Sequence, residues 1–375
     1  MEDHFSAACH YGNVENVKKL LKNPKLNINK PNHDGQTPFS IACKQGHVEI
    51  VKLLLNDSRV DVNKGSTNES TPFNIACQGG HVGVVKLLLN DERIEINKED
   101  KYGWTPFYFS CAYGHVDVVK LLLDDRRIDV NKAENNNGQT AFSVACGNKR
   151  IEIVKLLLSE KRVDVNKANN YGQTPFYIAC CNVQIEIVRL LLNCNRIDLN
   201  QGNESNETPL YLACYFGHIE VVENILASGR KVDFNEPTSF DSEDDEESKT
   251  PIYIAREVER EEQRSWENDE GYQKRKVLYG NLVKLLESFE KDPNETSFKL
   301  RLKLGLAGKF NFVLLSILFS FSFSLFSLFS LFSLFFLLHV EIISLPFLDT
   351  IAASLYATVV LLSDRYLDFK NDEFK

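Results

Sequence analysis

A threonine returns at an almost fixed interval through most of the chain. Thr37, Thr71, Thr105, Thr140, Thr174 and Thr208 are 34, 34, 35, 34 and 34 residues apart. A period of that length marks a stack of similar units, none of which can bury its apolar face alone. One unit reads DGQTPFSIACKQGHVEIVKLLLNDSRVDVNK. Thr37 is suited to cap a helix whose first position, Pro38, needs no N–H partner. Gly46 is expected to stop that helix about two turns later. A second helix over HVEIVKLLLND should follow, with Val48, Val51, Leu54 and Leu55 as an apolar stripe at i, i+3, i+6 and i+7. The link NINKPNHDG is rich in turn residues and suits a β-hairpin loop.

These units resemble the ankyrin repeat family. The family's T-P-L-H-x-A box stands here as TPFSIA, TPFNIA, TPFYIA and TPLYLA, and its second-helix box as GHVEIVKLLL. The resemblance spans about residues 3 to 290 and implies an all-α solenoid of helix-turn-helix units joined by hairpin loops. The box histidine is replaced by Ser40, Asn74, Tyr108, Ser143, Tyr177 and Tyr211. The Gly that usually ends the second helix is absent, and in two units the Gly-His pair becomes Lys149-Arg150 and Val183-Gln184. The first unit lacks Thr-Pro and reads as a cap. An eighth, TPIYIAREVER to GNLVKLLES, is split by an insert.

Composition narrows the function classes. The chain has 375 residues, 43% hydrophobic and 25% charged, with a net charge of -9. That acidic balance argues against a nucleic-acid partner, which favours a basic stripe. Seven of the nine cysteines, Cys9, Cys43, Cys77, Cys111, Cys146, Cys180 and Cys214, recur every 34 or 35 residues. Such spacing is neither a disulfide framework nor a zinc set, so each is expected to fill a small slot in its unit. The start shows no apolar signal region, and with free thiols this points to the reducing cytosol. The sequons at Asn68, Asn203, Asn206 and Asn294 are then idle. His47, His81, His115 and His218 sit in the repeated box and read as structural. No phosphate loop, GxSxG or HExxH occurs, so no enzyme, cofactor or metal site is expected.

What the resemblance implies instead is protein binding. In that family the hairpin tips and first helices form a groove where partner contacts concentrate. Carried onto this chain, the groove positions give partner-binding candidates Tyr102, Trp104, Tyr113, Tyr171, Tyr215 and Phe216. Tyr108, Tyr177 and Tyr211 read as padding between units. Trp104 stands before the Thr-Pro box where other units carry polar residues. Its truncation is expected to weaken capture of a partner and leave melting nearly unchanged. Ser242, within the acidic run DSEDDEESK, is a candidate phosphosite for an acid-directed kinase.

The C-terminal region differs in kind. Phe310 to Leu338, 29 residues, contains no charged side chain. As a helix it would be ~43 Å long, and a hydrocarbon core of ~30 Å needs about 20 residues. Lys299, Arg301, Lys303 and Lys309 precede it, so the positive-inside rule keeps the repeats in the cytosol. The division expected is a repeat domain over 1–290, a basic linker over 291–309, a transmembrane helix over 310–338, and a second apolar segment with a polar tail over 339–375. Residues 342–363, interrupted by Pro346 and Asp349, suit either a return through the bilayer as a hairpin or a place at its far surface. The SLF triplet has period three, which defines no helix face and marks simple-sequence expansion. The leading expectation is a membrane-anchored, non-catalytic scaffold for a protein partner. The alternatives are an accessory or pore-lining subunit of a transport complex, and a soluble adaptor with a spurious apolar tail.

Overall fold

The computed structural model describes residues 1–233, 250–265 and 267–306. The described residues form helices in two rows. The first helices of the units are α1 (Glu2–His10), α3 (Pro38–Gln45), α5 (Pro72–Gln78), α7 (Pro106–Tyr113), α9 (Ala141–Gly147), α11 (Pro175–Cys181), α13 (Pro209–Tyr215) and α15 (Pro251–Arg260). The second helices are α2 (Val14–Leu21), α4 (Val48–Leu55), α6 (Val82–Leu89), α8 (Val116–Asp124), α10 (Ile151–Ser159), α12 (Ile185–Leu192) and α14 (Ile219–Ala227). Each helix packs on its counterparts in the neighbouring units, α1 on α3 on α5 and α2 on α4 on α6.

The threonines start the first helices as their chemistry predicts. The Thr37 hydroxyl accepts from the Ser40 amide at 3.2 Å, and Thr71, Thr105, Thr140, Thr174, Thr208 and Thr250 cap their helices the same way. Gly46 ends α3 with φ +73°, a left-handed conformation that costs glycine little. One phenylalanine in each of the first six units, Phe5, Phe39, Phe73, Phe107, Phe142 and Phe176, is fully buried, and Leu210 takes that slot in the seventh. The seven periodic cysteines are buried and free. The inward face of α4 is Ile50, Val51 and Leu54, whereas Val48 is exposed. Val48 is the first residue of its helix, at the rim of the stack, so the apolar stripe begins two residues later than the sequence suggests.

The links between units are hairpin-shaped without being β-strands. Among the described residues the sole bridge is Ala133 with Thr140. Side chains take the amides that a strand ladder would use. Asn32 Oδ1 accepts from the Asp34 and Gln36 amides, and Asn169 Oδ1 accepts from Tyr171 and Gln173. Such Asx turns satisfy the loop backbone locally. Neighbouring tips are then joined by single bonds, such as Thr67 N to Asp34 O and Lys101 N to Asn68 O, both 3.0 Å.

At the C-terminal end of the stack the expected boundaries shift. The stretch GNLVKLLES lies inside a 23-residue helix, α16 (Asp269–Lys291), which packs mainly on α15. The stretch read as a basic linker over 291–309 contains α17 (Pro293–Lys303), and this helix packs against α14 more than α16 does and extends the second row. The reason is chemical. The last carbonyls of α14 have no partner within their helix. Ser297 Oγ donates to Leu226 O at 2.7 Å, and Arg301 donates to Ala227 O and Ser228 O at 2.6 and 2.8 Å. The packed unit therefore runs to Leu306. Among the described residues no helix is long and apolar enough to cross a membrane. Ser242, the 310–338 run and the 342–363 segment lie outside the described residues.

Candidate functional site

A recognition surface on a stack needs its units held in register, and polar side chains that repeat with the period do this. Arg59 Nη2 donates to Leu21 O at 3.0 Å, Arg93 to Leu55 O at 2.7 Å, Arg127 to Leu89 O at 2.9 Å and Arg162 to Leu123 O at 2.6 Å. Each arginine thus caps the second helix of the unit before it. Asp57, Asp91 and Asp125 grip Arg59, Arg93 and Arg127, and these side-chain bonds hold the three carboxyls below the usual carboxylate range. Asparagines form a second file. Asn131 Nδ2 donates to Arg162 O at 2.7 Å while its Oδ1 accepts from Asp164 N at 2.8 Å. Asn29, Asn63, Asn97 and Asn166 repeat both bonds. The signal for these files was the NDSRVDVNK-type segment, whose extra residue replaces the missing glycine.

The box histidines are stitches. Nε2 of His47, His81 and His115 meets the carbonyls of His10, Lys44 and Gln78 at 2.9, 2.7 and 2.7 Å. Where the pair is Lys149-Arg150, Arg150 Nε takes over and donates to Ala112 O at 3.0 Å. Burial lowers the His218 pKa, against a smaller opposing pull from the Cys181 backbone. The buried thiols are pushed the other way. Desolvation takes Cys9 up to about 12 and Cys43, Cys77, Cys111, Cys146, Cys180 and Cys214 well above a free thiol. A thiol kept protonated is a poor nucleophile and a poor metal ligand. Among the described residues, no three His, Cys, Asp or Glu side chains gather as a metal set.

The aromatic candidates of the fourth unit do come together. Asp100 Oδ1 accepts from the amides of Tyr102 and Trp104 at 2.9 and 3.0 Å, which fixes the tip that carries both rings. Gly103 lies between them with φ +83°, and a Cβ there would stand 2.6 Å from the Asn135 amide nitrogen of the next tip. From this tip a file of rings descends α7. Trp104 lies 5.7 Å from Tyr102, stacks on Tyr108 at 5.5 Å and meets Phe109 edge-on at 5.4 Å. Phe109 lies 6.3 Å from Tyr113, which stacks on His115 at 6.3 Å. Lys101 Nζ sits 4.8 Å from the Tyr102 ring centre, and Gln78 donates to the Tyr113 hydroxyl at 3.0 Å.

The ends of the file are open and its middle is packed. Tyr102 and Tyr113 are exposed, whereas Trp104 is half-buried against the core. Trp104 is therefore not a free ring on the tip, because Tyr108 and Phe109 form a bed for its indole. Tyr171 is exposed on its own tip, two units away, with its hydroxyl 3.4 Å from Asn137 Oδ1. Tyr215 and Phe216 are exposed as a separate pair with centres 5.0 Å apart. Tyr108, Tyr177 and Tyr211 are buried, as padding requires. Sequence reasoning passed over Phe109, although it replaces the aliphatic residue that sister units carry as Ile41, Ile75 and Ile178. It also passed over Tyr11, which precedes a glycine as Tyr113 and Phe216 do and is 80% exposed.

Comparison with known proteins agrees with this architecture. A family model described as ankyrin repeats (3 copies) matches residues 5–100, 58–134, 92–169 and 161–238. No curated protein matches the chain. Among solved structures, the ankyrin repeat domain of Bcl-3, titled a unique member of the IkappaB protein family, is similar with a TM-score of 0.50. The alignment has 21% identity and covers 55% of this chain and 91% of that one, a likeness of fold alone. With the repeat model covering well over half its length, and with the capped helices and stacked rows that such a repeat builds, the chain belongs to the ankyrin repeat family.

Proposed function

We propose that this chain is a non-catalytic scaffold that captures a protein partner on the aromatic file of its fourth unit. Its C-terminal apolar run would fix it to a membrane with the repeats in the cytosol. Ankyrin repeats are protein-interaction modules, which supplies the class. The observation that carries the site is the file Tyr102, Trp104, Phe109 and Tyr113, whose ends are exposed while its middle is packed. Rings dominate interface hot spots because they offer large area at low entropic cost. Packing Trp104 in place lowers that cost further, since a partner meets Tyr102 and Tyr113 on a fixed bed. Tyr171 and the Tyr215–Phe216 pair would extend the contact along the stack. The anchor is supported by sequence, through the charge-free residues 310–338 and the cations ahead of them.

Capture of a partner from lysate by the full chain, compared with the Tyr102→Ala/Tyr113→Ala variant, tests the site. Loss of an aromatic anchor commonly costs roughly 2 kcal/mol or more, about thirtyfold in affinity. Equal capture by both chains would remove this surface from consideration. Carbonate extraction tests the anchor, and release of the intact chain from membranes would dismiss it.

A further inference from the structure

Helix α17 buries Leu300 together with two hydroxyl residues and leaves an aromatic ring outside. Thr296 and Ser297 face the protein, 5% and 8% exposed, while Phe298 beside them is 51% exposed. Leu302, one turn on from Phe298, is half-buried, and Leu306 just past the helix is exposed. A helix bathed only in water would be expected to show the reverse. Its rotation is fixed by hydrogen bonds. Ser297 Oγ donates to Leu226 O, Thr296 Oγ1 donates to Ser288 O at 2.9 Å, and Arg301 holds Ala227 O and Ser228 O. Turning Phe298 inward would break all of these, so its exposure is built into the fold.

The same stretch is basic. From Thr296 to Leu306 the charged residues are Lys299, Arg301 and Lys303, with no carboxylate among them. Lys299 pairs with Glu295 and Lys303 with Glu223, yet both lysine side chains remain about two-thirds exposed. The charge-free run begins at Phe310, four residues after Leu306. An extended chain spans at most ~3.5 Å per residue, so a link of four residues is a short one. If the run enters a bilayer, α17 is held at the headgroup layer.

We infer that the Phe298–Leu302–Leu306 side of α17 lies in the interface of an anionic bilayer, with Lys299 and Lys303 toward the headgroups. Apolar side chains on a basic helix reach about 5–10 Å into the headgroup and acyl boundary, and juxtamembrane cations favour anionic leaflets. This rests on the membrane reading above. It adds that the repeat stack is seated on the membrane by its last helix rather than suspended from a free tether.

The test uses the full chain in vesicles of phosphatidylcholine and phosphatidylserine, with bromine placed near the top of the acyl chains. A tryptophan is added as Phe298→Trp or, for comparison, as Val277→Trp on α16, where the native side chain is 63% exposed. Emission is read as the difference from the parent chain, which already contains two tryptophans. Strong quenching of the Phe298→Trp contribution, with little for Val277→Trp, is the expected result. Equal weak quenching in a chain that resists carbonate extraction overturns the interfacial helix and leaves the anchor standing. A blue-shifted but unquenched Phe298→Trp signal also overturns it, showing that a segment of this chain or a second copy covers the face. Release by carbonate overturns both readings.

Discussion

Val183 shows what a single residue carries in this stack. It occupies the turn position that Gly46, Gly80, Gly114 and Gly217 fill in sister units, with φ +52°. A left-handed conformation costs an L-residue roughly 1–2 kcal/mol, and branching at Cβ makes valine a poor occupant. Its side chain is exposed, so little burial offsets that cost. Val183→Gly should stabilise the fold by about 1 kcal/mol, less whatever the freer unfolded chain takes back. A lower denaturant midpoint in the variant would show that the Val183 side chain makes a contact worth more than the strain. Trp104 and Tyr113 form the complementary pair. The indole is half-buried on Tyr108 and Phe109, so Trp104→Ala should cost about 2 kcal/mol of folding free energy. Tyr113→Ala, at an exposed ring, should change stability by no more than ~0.5 kcal/mol. Chemical denaturation of both separates them, and equal losses would mean the file is packed to its end.

Among the elements, α17 carries the most consequence. It does for α14 what each arginine of the file does for the helix before it, bringing side-chain donors to carbonyls that the helix leaves open. Leu300 adds a buried apolar contact on the same side. A chain ending at Leu306 should remain folded and unfold cooperatively, because the stacked units bury one another and the last second-row helix is covered. A chain ending at Lys291 should lose about 3 kcal/mol, from one buried leucine and the bonds of Ser297 and Arg301. Thermal unfolding of the two truncations decides this, and identical transitions would show that α17 is a passive appendage. The link loops teach the same lesson at smaller size. Their Asx turns, such as that of Asn169 with Tyr171 and Gln173, make each tip rigid before any neighbour is added.

Across the whole molecule the buried thiols set a limit at high pH. A free thiol ionises near 9.0, while burial keeps Cys111 and its counterparts protonated well beyond that. The folded pKa is raised, so the contribution is complete below the unfolded value and declines as pH climbs through the folded one. Above pH 9 the unfolded chain therefore binds fewer protons than the folded chain, and stability falls with rising pH. Each such thiol adds a slope of about 1.4 kcal/mol per pH unit. Denaturant titrations between about pH 9 and 11 should show a steep decline, made shallower by one thiol's worth in Cys111→Ala. An unchanged slope in that variant would mean that Cys111 titrates within the fold. The seven thiols recur with the repeat, so this sensitivity belongs to the stack rather than to one place in it.

The sequence by itself determined the period, the capped first helices, the buried phenylalanine and cysteine slots, and the family. All of these follow from contacts within a unit or between identical positions of adjacent units, which a repeated string displays directly. Tyr102 and Tyr113 were legible as exposed rings for the same reason, since their repeat positions face outward in the third, fifth and sixth units as well. What only the tertiary structure decided involves partners that the period does not bring together. Trp104 is half-buried because Phe109, an exception within its own box, lies beneath it. The hairpins lack strands because side-chain oxygens reach the loop amides first. Residues 293–303 read as a basic linker since their inward side mixes hydroxyls with Leu300 while Phe298 faces outward. Only the open carbonyls of α14, some seventy residues earlier in the chain, give Ser297 and Arg301 a reason to face in.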